Sequence, residues 1–391
     1  MKIAMMTNNY KPFVAGVPIS VERLKNSIQA MGHEVTVFAP SYENMEAEKD
    51  VFRYSVMLSG VWGGAVIPNG FDPAIEEAFQ KGNFDVIHVH HPMMIGWTAI
   101  YLSKKYHVPL VFTYHTRYEQ YLHYLGLSGL KNMMPAYVRA FASQCDCVIA
   151  PTLGMKEYLE EIEVSAPVSV LPTGLEEDSF YPQEEKVSKL RGELLGKKKY
   201  LFVTVARLAK EKNIGFLLES LALRKKQGKD DFVLALAGDG PEKEILKEKA
   251  KNLGLGDSVV FAGKVPNCEI KNYCAAADLF LFASTTETQG IVSLEAMAAG
   301  TPVLAVYATG TKDIVSDGVN GYMTEECVNA FAQRLDDILQ SGQAERLRAG
   351  AKKTAEHYEA KAVAVRALSC YSAAIYQNWE KQQIRRVKAA W

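Results

Sequence analysis

Arg207 and Lys212 stand just past the apolar run LFVTV, with four residues between them. A guanidinium offers a planar fork of donors and an ammonium a compact point charge, so the two on one short loop suit a diphosphate. Taken by themselves they read more readily as surface charges. Further along, Glu287 and Glu295 flank Gly290 in STTETQGIVSLEAMAAGTPVLA. With LFLFAS as a strand and VSLEAMAAG as a helix, Glu287 falls at the strand's carboxyl end and Glu295 one or two turns into the helix. The backbone N–H groups of Gln289, Gly290, Ile291 and Val292 then point toward an anion at the helix N-terminus. A carboxylate beside them is a strong acceptor for a sugar or ribose O–H. Either glutamate alone reads as a helix cap or a solvated face.

Two further candidates lie in the first half. The loop TNNYKPFVAGV follows the run KIAMM and carries no GxGxxG, which weakens a dinucleotide-dehydrogenase reading. Its Gly16 fits a close approach of backbone to phosphate or sugar, or a plain turn glycine. His115 sits in FTYHTRYEQYLHY, after another apolar run. Its imidazole can donate to a sugar oxygen or a leaving phosphate, with protonation adjustable near neutral pH. His88, His90 and His91 invite a metal reading, but strand alternation sends 88 and 90 to one face and 91 to the other. The chain also has no DxD pair, so neither an essential metal nor a cofactor is expected.

The elements that must position these residues are legible as short apolar runs alternating with helix-period segments, the pattern of parallel βαβ units. KIAMMT, EVTVFAP, DVIHVH, PLVFTYH, CVIAP and VSVLP make one set; YLFVTVA, FVLALAG, VVFAGKV, LFLFAS and PVLAVY make a second. Ligands of doubly wound sheets bind at the carboxyl ends of the strands, where every candidate above lies. A length of 391 residues exceeds what one core fills, so two domains are expected. The polar stretch from Thr173, TGLEEDSFYPQEEKVSKLRGELLGKKK, reads as the connection, with the boundary near 171–175. The expected division is 1–172 and 173–373. Residues 355–391 read as helical throughout and end in a run with Lys381, Arg385, Arg386 and Lys388. Their last part, about 374–391, is expected to pack back on the first domain.

With 44 basic against 45 acidic residues, the net charge of -1 gives no global pull toward nucleic acid. The start MKIAMMTNNY lacks the charged and apolar regions of a signal peptide and reads as a core strand. No run reaches the roughly 20 apolar residues of a membrane span, so a cytosolic protein is expected. Six scattered cysteines without CxxC pairs fit reduced, packed thiols.

The order R-x4-K after a strand, then Gly238-Asp239-Gly240-Pro241, then E-x7-E in ETQGIVSLE, resembles the retaining GT-B glycosyltransferases of family 4. Gly16 and Asp317-Gly318-Val319-Asn320-Gly321 extend the match over nearly the whole chain. The resemblance implies two Rossmann-like α/β domains whose sheets face a central cleft holding the active site, and a nucleotide-diphosphate sugar held mainly by the second. It implies Arg207 and Lys212 on the diphosphate, Glu287 on the donor-sugar hydroxyls, Glu295 on the ribose and the backbone near Val265 on the base. Thr288, Gln289, Gly290, Ile291 and Val292 would supply backbone donors, and His115 matches the family's active-site histidine.

A narrower resemblance rests on YHTRYEQYLHYLG, LPTGL and STTETQG, which are similar to bacterial enzymes that glucosylate diacylglycerol. It implies UDP-glucose as donor, 1,2-diacylglycerol as acceptor, an α-linked glycolipid as product and peripheral binding to the inner membrane face. Two stretches fit such docking: YLHYLGLSGLKNMMPAYVRAF as an amphipathic helix, and the loop MLSGVWGGAVIPNG with Val61 and Trp62. The ordinary alternative is an apolar face packed on its own domain. Two rival functions stand beside this one. The first is a family 4 enzyme with a soluble acceptor such as a sugar phosphate, an oligosaccharide or a small metabolite, GDP-mannose being an alternative donor. The second is a nucleotide-sugar epimerase or binding protein of the same fold.

Overall fold

The computed structural model describes every residue except 14, 44, 46, 62–64, 119–127, 341 and 390–391; for 61, 65, 128, 130 and 385–389 it describes the backbone alone. The chain forms two compact units, Met1–Gly174 with Ala360–Trp391, and Leu175–Glu359.

In the first unit the strands are β1 (Lys2–Met6), β2 (Glu34–Pro40), β3 (Val51–Tyr54), β4 (Val56–Val61), β5 (Ala65–Pro68), β6 (Val86–Val89), β7 (Leu110–Thr113), β8 (Cys147–Ala150) and β9 (Val168–Val170). Seven form one sheet in the order β3-β2-β1-β6-β7-β8-β9, with every pair parallel. β4 and β5 form a separate antiparallel hairpin where the sequence reads as a loop. The sheet is buried on both faces, so alternate residues of one strand enter opposite cores: Ala4 and Met6 on one side, Ile3 and Met5 on the other.

The C-terminal helix Ala360–Ala389 covers the second of these faces with Val363, Ala364, Ala367, Tyr371 and Ala374, a stripe at helical spacing. It differs from the expected course in two ways. The chain re-enters the first unit at Ala360, not near 374, so the second unit ends at Glu359. Residues 355–391 are also not one helix, because the helix Ala344–Glu356 stops before an extended turn at 357–359. There the carbonyl of Tyr358 accepts from the Leu175 N–H at 2.7 Å and Glu359 bridges to Leu175. A continuous helix would use that carbonyl internally. Gly174 lies so close to Ala360 that a Cβ would come 2.6 Å from its Cα, which explains the glycine where the chain leaves and returns.

The second unit holds β10 (Tyr200–Val205), β11 (Phe232–Ala237), β12 (Val259–Gly263), β13 (Leu279–Phe282), β14 (Val303–Val306) and β15 (Gly321–Thr324). They form one parallel sheet ordered β12-β11-β10-β13-β14-β15. Phe232, Leu234 and Leu236 of β11 enter one core while Val233, Ala235 and Ala237 enter the other. Both sheets therefore keep the first strand beside the fourth of their series, the point where successive connections depart to opposite sides and open a crevice.

Candidate active site

In the second unit that crevice lies between the loops leaving β10 and β13, and both loops carry charge. After β10 the chain passes Arg207 and makes a 3-10 turn at Lys210–Lys212, closed by Asn213 in the left-handed region at φ 52°. The segment 238–240 buttresses this loop: the Leu208 N–H donates to the Asp239 carbonyl at 3.0 Å, and the Glu242 N–H to the Leu208 carbonyl at 2.9 Å. A Cβ on Gly238 would lie 1.8 Å from the Ala206 oxygen and one on Gly240 2.4 Å from the Leu208 oxygen. Glycine is needed at both for the backbones to touch.

The loop after β13 is tied to the first by Ser284, whose Oγ donates to the Glu211 carbonyl at 3.2 Å. It is also tied by a hydrogen-bonded ion pair between Lys212 Nζ and Glu287 Oε1. Both side chains of that pair are 20% exposed. Gly310 backs it, since a Cβ there would stand 2.4 Å from the Glu287 carbonyl oxygen. Arg207 reaches Glu211 at 3.8 Å and is about half exposed. Gly290, at φ 71°, starts the helix Ile291–Ala298, whose N-terminus carries no side-chain cap, so its first N–H groups face outward from the loop. Gln289 and Ser293 are buried there, and Thr288 and Val292 are half-buried.

This arrangement is selective on electrostatic grounds. A simple anion drawn to Lys212 is repelled by Glu287. A ligand that brings phosphate oxygens to the ammonium and helix N–H groups while offering hydroxyls to the carboxylate satisfies both. Arg207, Lys212, Glu287, Thr288, Gln289, Gly290, Ile291 and Val292 are brought to this one edge of the sheet. Glu295 sits farther into the helix, near Cys274, whose thiol is pushed up by burial and then by the Glu295 charge. Val265 follows β12, two strands from β10, and borders a surface cavity of about 320 Å³ with Lys186, Leu190 and Tyr273. The Asp317-to-Gly321 motif precedes β15 and so lies at the opposite edge. Asp317 accepts from the Met323 N–H at 2.8 Å, and buried Asn320 donates to the Ile314 carbonyl at 2.9 Å, which makes it a turn-builder.

The matching crevice of the first unit, between the loops leaving β1 and β6, is stitched by its own residues. The Asn8 N–H donates to His91 Nδ1 at 3.1 Å, Asn8 Nδ2 to the Met93 carbonyl at 2.9 Å and Tyr54 OH to the Thr7 carbonyl at 2.7 Å. Gly16 opens the helix Gly16–Ala30, and a Cβ on it would meet nothing within 4 Å. Internal packing among the described residues therefore does not require glycine there.

His115 follows β7, one strand farther along, and is half-buried. Its Nε2 lies 2.9 Å from Nδ1 of His90, with the rings stacked at 5.2 Å. His88 meets Tyr371 OH through Nδ1 and Thr113 Oγ1 through Nε2, both at 2.7 Å, and its ring lies 4.1 Å from that of His90. Burial pushes His88 and His91 down to about 3 and pushes His90 and His115 well below the usual imidazole range, so this cluster is neutral at neutral pH. Sequence reasoning weighed His90 only as a metal ligand and missed it as the partner of His115. The available signal was HVH at a strand end next to a strand ending in TYH.

The helix Met134–Ala142 buries Met134, Val138 and Phe141 in its own core, so the amphipathic stretch packs inward there; its first part, 121–127, and Trp62 lie outside the described residues. No helix among the described residues is long and apolar enough to cross a membrane.

The family models for "Glycosyltransferase Family 4" and "Glycosyl transferases group 1" match residues 14–179 and 187–356. The chain is 34% identical to the alpha-monoglucosyldiacylglycerol synthase of Streptococcus pneumoniae, over 82% of this chain and 74% of that protein. It is 30% identical to the enzyme of the same name from Acholeplasma laidlawii, over 82% and 84%. Among solved structures, Anabaena Alr3699/HepE in complex with UDP-glucose superposes with a TM-score of 0.75 at 20% identity, covering 95% of this chain and 100% of that one. That likeness establishes the GT-B fold.

Proposed function

This chain belongs to the family 4 glycosyltransferases, and on that premise we propose that it moves glucose from UDP-glucose to 1,2-diacylglycerol, forming an α-linked glycolipid. The observation that carries the donor half is the Lys212–Glu287 pair beside the uncapped helix start, which suits a sugar diphosphate better than a plain anion or a neutral sugar. The lipid half is supported by the two relatives named as monoglucosyldiacylglycerol synthases. It is further supported by exposed Met57 and Leu58 on the β4–β5 hairpin and exposed Phe71 and Met133, all on the first unit, as anchors for peripheral contact with a bilayer.

The chemistry is assigned to the donor phosphate and the groups around it. As the glycosidic bond to UDP breaks, negative charge grows on the β-phosphate, where Arg207, Lys212 and the N–H groups of 289–292 hold it. Glu287 fixes the sugar through its hydroxyls, and His115 is assigned to the reacting sugar as the family resemblance implies. The acceptor hydroxyl attacks from the leaving-group face and its proton passes to the departing phosphate oxygen, so configuration is retained. Glu295 holds the ribose, the backbone at Val265 meets the base, and Gly16 lets the chain approach the donor.

The test is release of nucleoside diphosphate from UDP-glucose, UDP-galactose, UDP-GlcNAc and GDP-mannose, with and without diacylglycerol vesicles. Release from UDP-glucose that depends on the vesicles, with an α-anomeric product by NMR, is expected. Release indifferent to vesicles, or a β-linked product, overturns the reading.

A further inference from the structure

We propose that His90 is a positioning residue that fixes the tautomer of His115: His90 donates Nδ1–H to His115 Nε2, so that His115 carries its own proton on Nδ1. This rests on the placement of His115 in the reaction above. A 2.9 Å contact between two imidazole nitrogens needs one donor and one acceptor, so the neutral pair has one proton on that line. Where it sits decides both outer nitrogens at once, because each neutral ring holds a single N–H.

The surroundings choose the sense. His90 is 1% exposed, and its Nε2 is buried with no hydrogen-bond partner among the described residues. His90 and His115 border a cavity of about 20 Å³, enough for one water, together with Ser20, Arg23 and Thr173. Arg23, itself buried, is a cation that only donates, and no carboxylate borders the cavity among the described residues. An N–H at Nε2 would find no acceptor among the described residues, and the Arg23 cation on the wall of the same cavity favours a lone pair over a second positive edge, so the bare Nε2 is the favoured form, which puts the His90 proton on Nδ1. His88 holds the ring in place: its own ring packs at a tilt against His90, 4.1 Å away, while clamped between Tyr371 of the C-terminal helix and Thr113 of β7. Among the described residues the titratable and charged groups facing the pair are His88, His91, Arg23 and Tyr371 through His88, none of them an acid. The consequence for chemistry is that His115 is presented to substrate as a donor, as required of a group that stabilises charge building on a sugar oxygen or phosphate.

Three variants separate positioning from mere packing. An asparagine amide places its polar atoms near Nδ1 of the histidine it replaces, and a glutamine near Nε2. His90→Asn should therefore keep turnover within about fivefold, whereas His90→Gln and His90→Leu should lower kcat about 100-fold with donor KM changed less than about threefold. In parallel, 15N-histidine NMR of the full chain should show His115 as one neutral Nδ1–H tautomer from pH 6 to 8. It should show a shifted or averaged tautomer in His90→Gln and His90→Leu, with recovery in His90→Asn. A His115 that is charged at pH 7, carries its proton on Nε2, or keeps the same spectrum in all three variants overturns the proposal. Should His90→Leu fail to fold, the Asn and Gln variants alone decide it, and equal losses in both count against it. The spectra do not depend on turnover, so a fixed tautomer in a protein that consumes no sugar nucleotide would leave this proposal standing and remove the functional one.

Discussion

The two units repeat one strand order, yet their crevices are opposites. The first is closed by neutral side chains, with His91 held by Asn8 and His88 clamped by Tyr371 and Thr113. The second is built of charges: Lys212 and Glu287, each one fifth exposed, and Arg207, about half exposed above a nearly buried Glu211. Topology supplies the same opening twice, and the loop residues alone decide what each can bind.

The contrast is sharpest in what each side loses on substitution. Arg207→Ala or Lys212→Ala should lower kcat/KM for donor consumption by about 10²- to 10³-fold, the range for removing one preorganised charge stabiliser. Changes within tenfold in both would break the assignment of the charged crevice to the donor. Next come two glycines. Gly310→Ala places a methyl against the Glu287 carbonyl and should displace that loop, lowering activity about tenfold together with melting temperature. Gly16→Ala places a methyl with no atom within 4 Å among the described residues beyond its chain neighbours, so it should lower kcat/KM by a similar factor while leaving the melting temperature unchanged. A full-activity Gly16→Ala protein would remove the close-approach reading.

Acid should also separate the units. His88 and His91, held near 3 by burial, stay neutral when folded, whereas in the unfolded chain they take up protons below about pH 6.5. Stability rises with pH wherever the unfolded state binds more protons, so as pH falls from 6.5 toward 3 each costs the first unit up to about 1.4 kcal/mol per pH unit. In the second unit Asp230 is held at about 2, chiefly by its hydrogen bond from Lys198, so its contribution is lost only as pH falls below about 4. Calorimetry at pH 5 should resolve an earlier transition from the first unit. One joint transition down to pH 4 would contradict this. The smallest effect belongs to Asp317→Ala, which removes the cap on the Met323 N–H at the far edge of the sheet and should cost about 1 kcal/mol with activity intact.

Legibility in the sequence followed the range of the interaction. Residues of LFLFAS and the IVSLEAMA helix are local and strongly patterned, so the strand end, the glycine start and Glu287 are all readable from spacing. Arg207 and Lys212 are readable for the same reason. What escaped depends on distant partners. The break at 357–359 is set by Leu175, and the His90–His115 bond by the parallel pairing of β6 with β7. The role of GDGP as a buttress appears only once its backbone is seen against Ala206 and Leu208. The inward packing of Val138 and Phe141 is a tertiary choice that amphipathic spacing leaves open.

Because the chain departs from the first unit at Gly174 and returns only at Ala360, the order of synthesis is inverted with respect to completion. On the ribosome the contiguous unit Leu175–Glu359 can finish its core while the earlier one still lacks Val363, Ala367 and Tyr371. Until the last turns emerge, the nascent chain holds an unshielded apolar face formed by Ile3, Met5, Val37 and Ile149. Such a face is open to chaperones or to other nascent chains. Deleting residues after Ala360 would leave that face permanently uncovered, so loss of the C-terminal segment should show first as poor solubility during expression rather than as a defect in donor binding.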